Sequence, residues 1–271
     1  MKPKEILVFG ASGQIGRHLI RKLTKNNYKV VAVTRNIHQK GYILKTQANP
    51  GYLEIVELTY FNIEKIKNLV KECSICINLI GILFEKRKNF FKNIHTDFPD
   101  LLSKLSAKQN IEKLIHISSL GIEKSLDSNY AISKLDGENK IKNNFDRAVV
   151  LKPSIVYSVD DKFTTNFMTL LNRLPIIPIY YEGKTKFAPI HVTDLVQIIF
   201  DVVQGKTNEQ TIECIGPEIF SFKEIILKLL KTIDKKRLLI PLPLVIAKMM
   251  AKIFEIMPNP LITVDQINLL K

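Results

Sequence analysis

Two groups of residues in this 271-residue chain have the types and spacing of a chemical site. The first is Tyr130-Ala131-Ile132-Ser133-Lys134. On a helix, positions i and i+4 share a face, so the Tyr130 phenol and the Lys134 ammonium converge. The lysine's charge then lowers the phenol pKa toward a value useful for proton transfer, and the ammonium can also hold a nicotinamide ribose. Ser119 follows the apolar run Leu114 to Ile117, and from a strand end its hydroxyl can bond the same reacting oxygen. Tyr130 is thus the candidate acid or base, Lys134 its tuner and Ser119 the group that orients a substrate.

The second group is the turn Gly10-Ala11-Ser12-Gly13-Gln14-Ile15-Gly16, between apolar Ile6 to Phe9 and a helical pattern. Gly10 lets a strand reverse into a helix through positive φ. A bare Gly13 lets a pyrophosphate approach the main chain, and a bare Gly16 lets the helix pack on the strand. The helix N-terminus, with its unpaired amides and positive dipole end, then holds the anion. Ser12, Gln14 and Ile15 count with the three glycines as cofactor-binding positions. The spacing is GxxGxxG rather than the common GxGxxG. Its weight comes from its place between a first strand and the amphipathic run Ile15, Leu19, Ile20, Leu23. After a second strand, Val30 to Thr34, users of NAD usually carry an acid. Here Arg35 follows, and a guanidinium favours a 2′-phosphate, so NADP(H) is favoured over NAD(H).

The elements that position these groups alternate. Leu53 to Leu58 reads as a third strand, Asn62 to Lys71 as a helix and Ser74 to Ile80 as a buried fourth strand. Gly81 then offers another bare backbone position at the carboxyl edge of the sheet, where ligands of α/β proteins bind. His95 to Gln109 reads as a helix and Leu114 to Ile117 as the fifth strand. Strands alternating with helices imply an α/β fold, a Rossmann-like, doubly wound parallel sheet. Residues 1–157 form the dinucleotide-binding domain and residues 158–271 a small mixed α/β C-terminal subdomain, interleaved with the first at the sheet edge. In the subdomain, Phe163 to Leu174 and Asp194 to Val203 read as helices and Thr211 to Ile215 as a strand. Ser221 to Glu224 and Thr263 to Gln266 read as capping boxes. His191 and Asp194 read as a histidine and a helix cap at a corner, with no catalytic role. Pro243 to Met257 reads as an amphipathic helix with Lys248 and Lys252 on one stripe. Its apolar face either packs into its own subdomain or lies on a membrane or a hydrophobic partner.

A hydrophobic content of 46% supports a real core and excludes disorder. The excess of 40 Lys and Arg over 26 Asp and Glu, a formal +14, implies an anionic partner. In Glu85 to Lys92, residues Lys86, Arg87, Lys88 and Lys92 surround Phe90 and Phe91. No nucleic-acid module accompanies this stretch, so it reads as a loop whose phenylalanines cover the core or a ligand, and nucleic acid is not the expected partner. Three cysteines imply a reducing compartment. The Cys73-Cys76 pair lacks a second pair or a nearby histidine and reads as buried thiols rather than zinc, and no metal is expected. No signal peptide precedes the first strand and no apolar run of about 18 residues exists, so a cytoplasmic or mitochondrial-matrix location without a membrane span is expected.

With these motifs in this order, the chain resembles the short-chain dehydrogenase/reductase superfamily, in the branch of the NAD-dependent epimerase/dehydratases and the atypical members. The resemblance implies Gly10, Gly13 and Gly16 at the phosphates, Arg35 at the adenosine 2′-phosphate, Ser119, Tyr130 and Lys134 as the triad, and Asn78 lining the nicotinamide side. A closer resemblance lies in Asn78 to Glu85 (NLIGILFE), Lys152 to Tyr157 (KPSIVY), Phe187 to Asp194 (FAPIHVTD), Leu242-Pro243-Leu244 and Pro258 to Thr263 (PNPLIT). These blocks are similar to the NADP(H)-binding accessory subunit of respiratory complex I, the alpha-subcomplex subunit 9 type, and its bacterial relatives. That implies a structural nucleotide, complex I subunits as partners at the junction of the peripheral and membrane arms, and a peripheral contact with the inner membrane. The retained Ser119, Tyr130 and Lys134 imply the alternative, an active NADP-dependent oxidoreductase or epimerase on a small carbonyl, alcohol or nucleotide-sugar-like substrate. The chain ends at Lys271, soon after PNPLIT, where family members tend to continue, so a docking tail is expected to be absent or shortened.

Overall fold

The computed structural model describes residues 5–85, 87–257, 260 and 262–270. Lys86 of the basic loop and Pro258, Asn259 and Leu261 of the PNPLIT block lie outside the described residues. The first half of the chain alternates β1 (Glu5–Phe9), α1 (Gln14–Lys25), β2 (Lys29–Thr34), α2 (Ile37–Lys45), β3 (Leu53–Glu57), α3 (Ile63–Glu72) and β4 (Ile75–Asn78). A π-helical turn, Lys92–Asp97, then runs into α4 (Phe98–Lys108), followed by β5 (Lys113–Ile117), α5 (Asn129–Asn144) and β6 (Ala148–Pro153). The sheet is seven-stranded in the order β11-β6-β5-β4-β1-β2-β3, with β11 at Thr211–Cys214, and each of its pairings is parallel. This is the Rossmann-like, doubly wound α/β fold that the alternation implies. The order reverses between β1 and β4, which opens the crevice at the carboxyl ends of the strands.

Parallel strands buried on both faces read as continuous apolar runs, and β1 shows why. Ile6 and Val8 point into the core beneath α1, with Leu19 and Leu23, while Leu7 and Phe9 point into the opposite core with Phe98, Leu102 and Ile141. Period-two alternation thus feeds two helix layers from one strand.

Three differences from the sequence reading have local causes. The helix expected from His95 starts at Phe98, because the preceding six residues form the π turn. Helix α7 (Val192–Val203) starts earlier than expected, since His191 itself is the N-cap and Asp194 lies in the first turn. Strand β6, not singled out in the sequence as a strand of its own, is buried along its whole length.

The rest of the second half comprises β7 (Val156–Tyr157), α6 (Lys162–Arg173), β8 (Ile176–Ile179), β9 (Lys186–Phe187), β10 (Ile190–His191), β12 (Phe220–Ser221), α8 (Phe222–Thr232), β13 (Leu238–Pro241), α9 (Leu244–Phe254) and α10 (Val264–Leu269). It forms three two-stranded sheets, β10-β7, β12-β9 and β13-β8, and its β11 completes the main sheet beside β6. A separate core of Leu171, Ile177, Ile179, Phe222, Ile226 and Leu230 holds α6 and α8 together. Both expected capping boxes form, Ser221 with Glu224 and Thr263 with Gln266. Among the described residues, no helix is long and apolar enough to cross a membrane.

Candidate functional site

The glycine turn closes the strand-to-helix reversal with a bond from Gly13 N to Gly10 O at 3.0 Å. Gly10 has φ of 77°, and a Cβ there would sit 3.0 to 3.1 Å from the Leu79–Ile80 backbone. A Cβ on Gly16 would sit 2.4 Å from Ala11 O, so only glycine lets α1 lie this close to the turn. Gly13 caps α1, whose N-terminus has no side-chain cap and no acid in its first turn. Its first amides are therefore available to an anion, and exposed Gly13 leaves the approach clear. Ser12 accepts from Thr34 Oγ1 at 3.3 Å, and Gln14 Nε2 donates to Ser158 Oγ at 2.9 Å. Arg17 meets Asp160 at 2.6 Å, so the segment after β7 is fastened beside the turn.

From this turn a cleft of about 2020 Å³ runs along the carboxyl edge of the sheet. Arg35, exposed at the end of β2, lines it together with Lys40. Gly81, Ser119, Tyr130 and Lys134 line it as well, as do Lys162, Lys184 and Lys186 from the second half of the chain. A Cβ on Gly81 would stand 3.6 Å from Lys134 Nζ and 3.9 Å from His95 Nε2, so the bare backbone leaves open the space in front of the lysine. An extended dinucleotide fits such a trough: a glycine-lined anion site at one end, cations beside β2, and a phenol and an ammonium beyond β4.

Helix α5 brings Tyr130 and Lys134 onto one buried face, and Ser119 lines the cleft with them. The expected lowering of the phenol by the lysine does not occur. Burial pushes the Tyr130 phenol up, the Ser119 hydrogen bond opposes this, and the negative charge of Asp265 adds to the rise. The Lys134 ammonium points elsewhere, donating to Ile117 O at 2.9 Å, and burial lowers it to about 8 while Glu138 raises it.

Asn78 lies at the carboxyl edge of the sheet. It ends β4 on the same side as Cys76, buried, where Nδ2 donates to His116 Nδ1 at 3.1 Å and Oδ1 accepts from Ile80 N at 3.1 Å. The side chain shapes the β4 exit from beneath and is not part of the cleft wall. Cys73 and Cys76 are buried thiols, as read, with burial pushing Cys73 up to about 12.

Two neighbours of the site escape the sequence motifs. His95, in the π turn, accepts from Ile82 N at Nε2 (3.1 Å), so Nδ1 carries the proton and donates to Ser133 Oγ at 3.0 Å. Its ring stacks on Phe91 and meets Tyr130 edge-on with centroids 5.2 Å apart. Burial holds His95 down to about 2, and it stays neutral. Beneath Ser119, buried Glu138 accepts from Ser118 and pairs with Lys152 at 3.3 Å, and Lys152 also pairs with Glu123. Only the aromatic Phe91, four residues before His95, hints at the first of these in the sequence.

A model of the NAD dependent epimerase/dehydratase family matches residues 6–215. The mitochondrial NADH-ubiquinone oxidoreductase 40 kDa subunit of Neurospora crassa is 24% identical over 262 residues, spanning 96% of this chain and 68% of its own. The mitochondrial NADH dehydrogenase (ubiquinone) 1 alpha subcomplex subunit 9 of Arabidopsis thaliana is 27% identical over 276 residues, spanning 97% of this chain and 68% of its own. The crystal structure of UDP-glucuronic acid 4-epimerase from Bacillus cereus, in complex with UDP-glucuronic acid and NAD, superposes with a TM-score of 0.72 at 22% identity. It covers 88% of this chain and 86% of that one, and shares the fold.

Proposed function

The chain belongs to the NAD dependent epimerase/dehydratase family, and from that premise we propose that it is an NADP(H)-binding accessory subunit of respiratory complex I in which the nucleotide is structural. The observation that carries this reading is similarity to complex I subunits along 96% and 97% of the chain. In this reading, residues 1–157 hold most of the nucleotide, and residues 158–271, interleaved with them at the sheet edge, complete the cleft and supply the substrate or partner surface. Gly10, Gly13 and Gly16 leave room for the pyrophosphate, with Ser12, Gln14 and Ile15 around it. Arg35, with Lys40 beside it, takes the 2′-phosphate through charge-assisted bonds. Gly81, Tyr130 and Lys134 bound the nicotinamide end. A bound nucleotide stabilises the fold by mass action without turning over, and a Lys134 already committed to Ile117 O fits a holding role.

The outward face of α9 supports a peripheral membrane contact. Its inward face is built of small Ala247 and Ala251, while Val245, Met249 and Ile253 stand 72%, 63% and 65% exposed. Lys248 and Lys252 flank that apolar stripe, as in helices that lie in an anionic membrane interface. The place assigned is the inner membrane surface facing the matrix, or the bacterial cytoplasm. Native extraction tests the main reading: the chain should comigrate with complex I, and its absence from the complex under mild detergent would overturn it.

A second reading rests on Ser119, Tyr130 and Lys134 lining one stretch of the cleft. There Tyr130 exchanges a proton with a substrate oxygen that Ser119 orients, and Lys134 holds the ribose. The dinucleotide, when bound, supplies or accepts the hydride. A substrate-dependent change in nicotinamide absorbance, lost in Tyr130→Phe, is the outcome this reading requires; no change across a panel of carbonyls, alcohols and nucleotide sugars removes it.

A further inference from the structure

The N-terminus of the helix that carries Tyr130 is held from the far end of the chain. Ser128 caps α5 locally, accepting from Ala131 N at 3.2 Å. The amides of Asn129 and Tyr130 are left for another partner, and Asp265 takes both. Asn129 N donates to Oδ1 at 2.6 Å and Tyr130 N to Oδ2 at 3.1 Å, while Ser128 Oγ donates to Oδ2 at 2.9 Å. A carboxylate at this end of a helix also complements its dipole.

Asp265 is itself set firmly. It lies in the first turn of α10, whose capping box closes with Thr263 N on Gln266 Oε1 and Gln266 N on Thr263 Oγ1, each at 3.1 Å. From α10, Asn268 Nδ2 donates to Asp127 O at 2.8 Å and Gln266 Nε2 reaches Leu83 O at 3.4 Å. Leu269 packs against the cluster of Phe91, Ile122, Tyr130 and Ala131. One short helix therefore touches both walls of the cleft beyond β4, the loop that follows Gly81 and the start of α5.

We propose that Asp265 is a positioning residue, which sets Tyr130 and the loop after Gly81 into the arrangement that receives the nicotinamide half of the nucleotide. The proposal rests on the nucleotide reading above. It makes that half of the site contingent on α10 being docked, while the adenosine half, built by the glycine turn and Arg35, is independent of α10.

The test uses the full chain and two probes, NADPH and adenosine 2′,5′-bisphosphate, which lacks the nicotinamide half. Asp265→Ala should weaken NADPH roughly tenfold, the size of losing a helix cap, and leave the bisphosphate unchanged. Leu269→Ala should shift the same ratio in the same direction. Equal weakening of both probes means general destabilisation and overturns the proposal, as does no change in either. A second readout needs no ligand. The rings of His95 and Phe91 meet the Tyr130 ring edge-on, and of the groups that shift its phenol only Asp265 brings a negative charge. Asp265→Asn should therefore lower the Tyr130 titration, seen in ultraviolet difference spectra against Tyr130→Phe. If wild type binds neither probe, the nucleotide reading falls, and an unmoved phenol titration then overturns the positioning role as well.

Discussion

At the scale of the residue, the proposed preference for NADP(H) rests on Arg35. Its guanidinium stands exposed on the cleft wall at the end of β2, where a 2′-phosphate would be recognised. Charge-assisted bonds contribute about 1.5–3 kcal/mol, so Arg35→Ala should raise the Kd for NADPH roughly 10- to 100-fold and hardly move that for NADH. Equal effects on both would assign Arg35 to the surface. His95 supplies a pH prediction. Burial holds it near 2, against 6.5 for the free side chain, so it is neutral in the fold and takes up a proton on unfolding below 6.5. The unfolded state then binds more protons, and stability falls as the pH falls through 6.5. His116, lowered by burial as well, acts in the same sense. Melting temperatures followed from about pH 7 to about pH 5 should drop less steeply in His95→Gln than in wild type; parallel slopes would contradict this. The glycine turn and the Tyr130 and Lys134 pair were legible because both depend on spacing within one element. The direction of the Lys134 ammonium was not, since its partner Ile117 O belongs to β5, 17 residues earlier.

At the scale of the element, what the sequence conceals is register. The apolar runs marked six of the seven strands of the main sheet because parallel strands are buried on both faces. The burial of Asn78 was likewise hidden: β4 ends there with the side chain on the α4 and α5 side, and only the pairing Asn78 to His116 reveals it. The π turn at Lys92–Asp97 shifts the helical phase before α4, which is how His95 comes to face Tyr130. Helix α9 showed its amphipathic pattern in the sequence, yet not which way it faces. With its small alanines inward and its large apolar side chains outward, it should bind vesicles containing anionic phospholipid. Met249→Glu with Ile253→Glu should abolish cosedimentation and leave the melting temperature within a few degrees, because neither side chain is part of the core. Retained cosedimentation in the double variant would rule out this face as the contact.

At the scale of the whole molecule, the two halves of the chain share the site instead of dividing it. The second half gives β11 to the main sheet, Asp160 to the Arg17 beside the glycine turn, and α10 to the Tyr130 wall. Such contacts join segments from about 60 to more than 140 residues apart, and no local pattern announces them. They also explain how a nucleotide could hold the molecule together: a ligand lying in the cleft would touch the sheet edge and the second half at once, so binding would stabilise the arrangement of both. On the proposed reading, therefore, the nucleotide is kept and the chain is part of a larger assembly. The most direct measurement is native mass spectrometry of complex I extracted in mild detergent from cells that make this chain. This chain should lie within the complex, carrying NADP(H) that survives extraction and is unchanged by added carbonyl or alcohol substrates. A chain found only outside the complex, or one whose nucleotide is oxidised or reduced when a substrate is supplied, would contradict that reading.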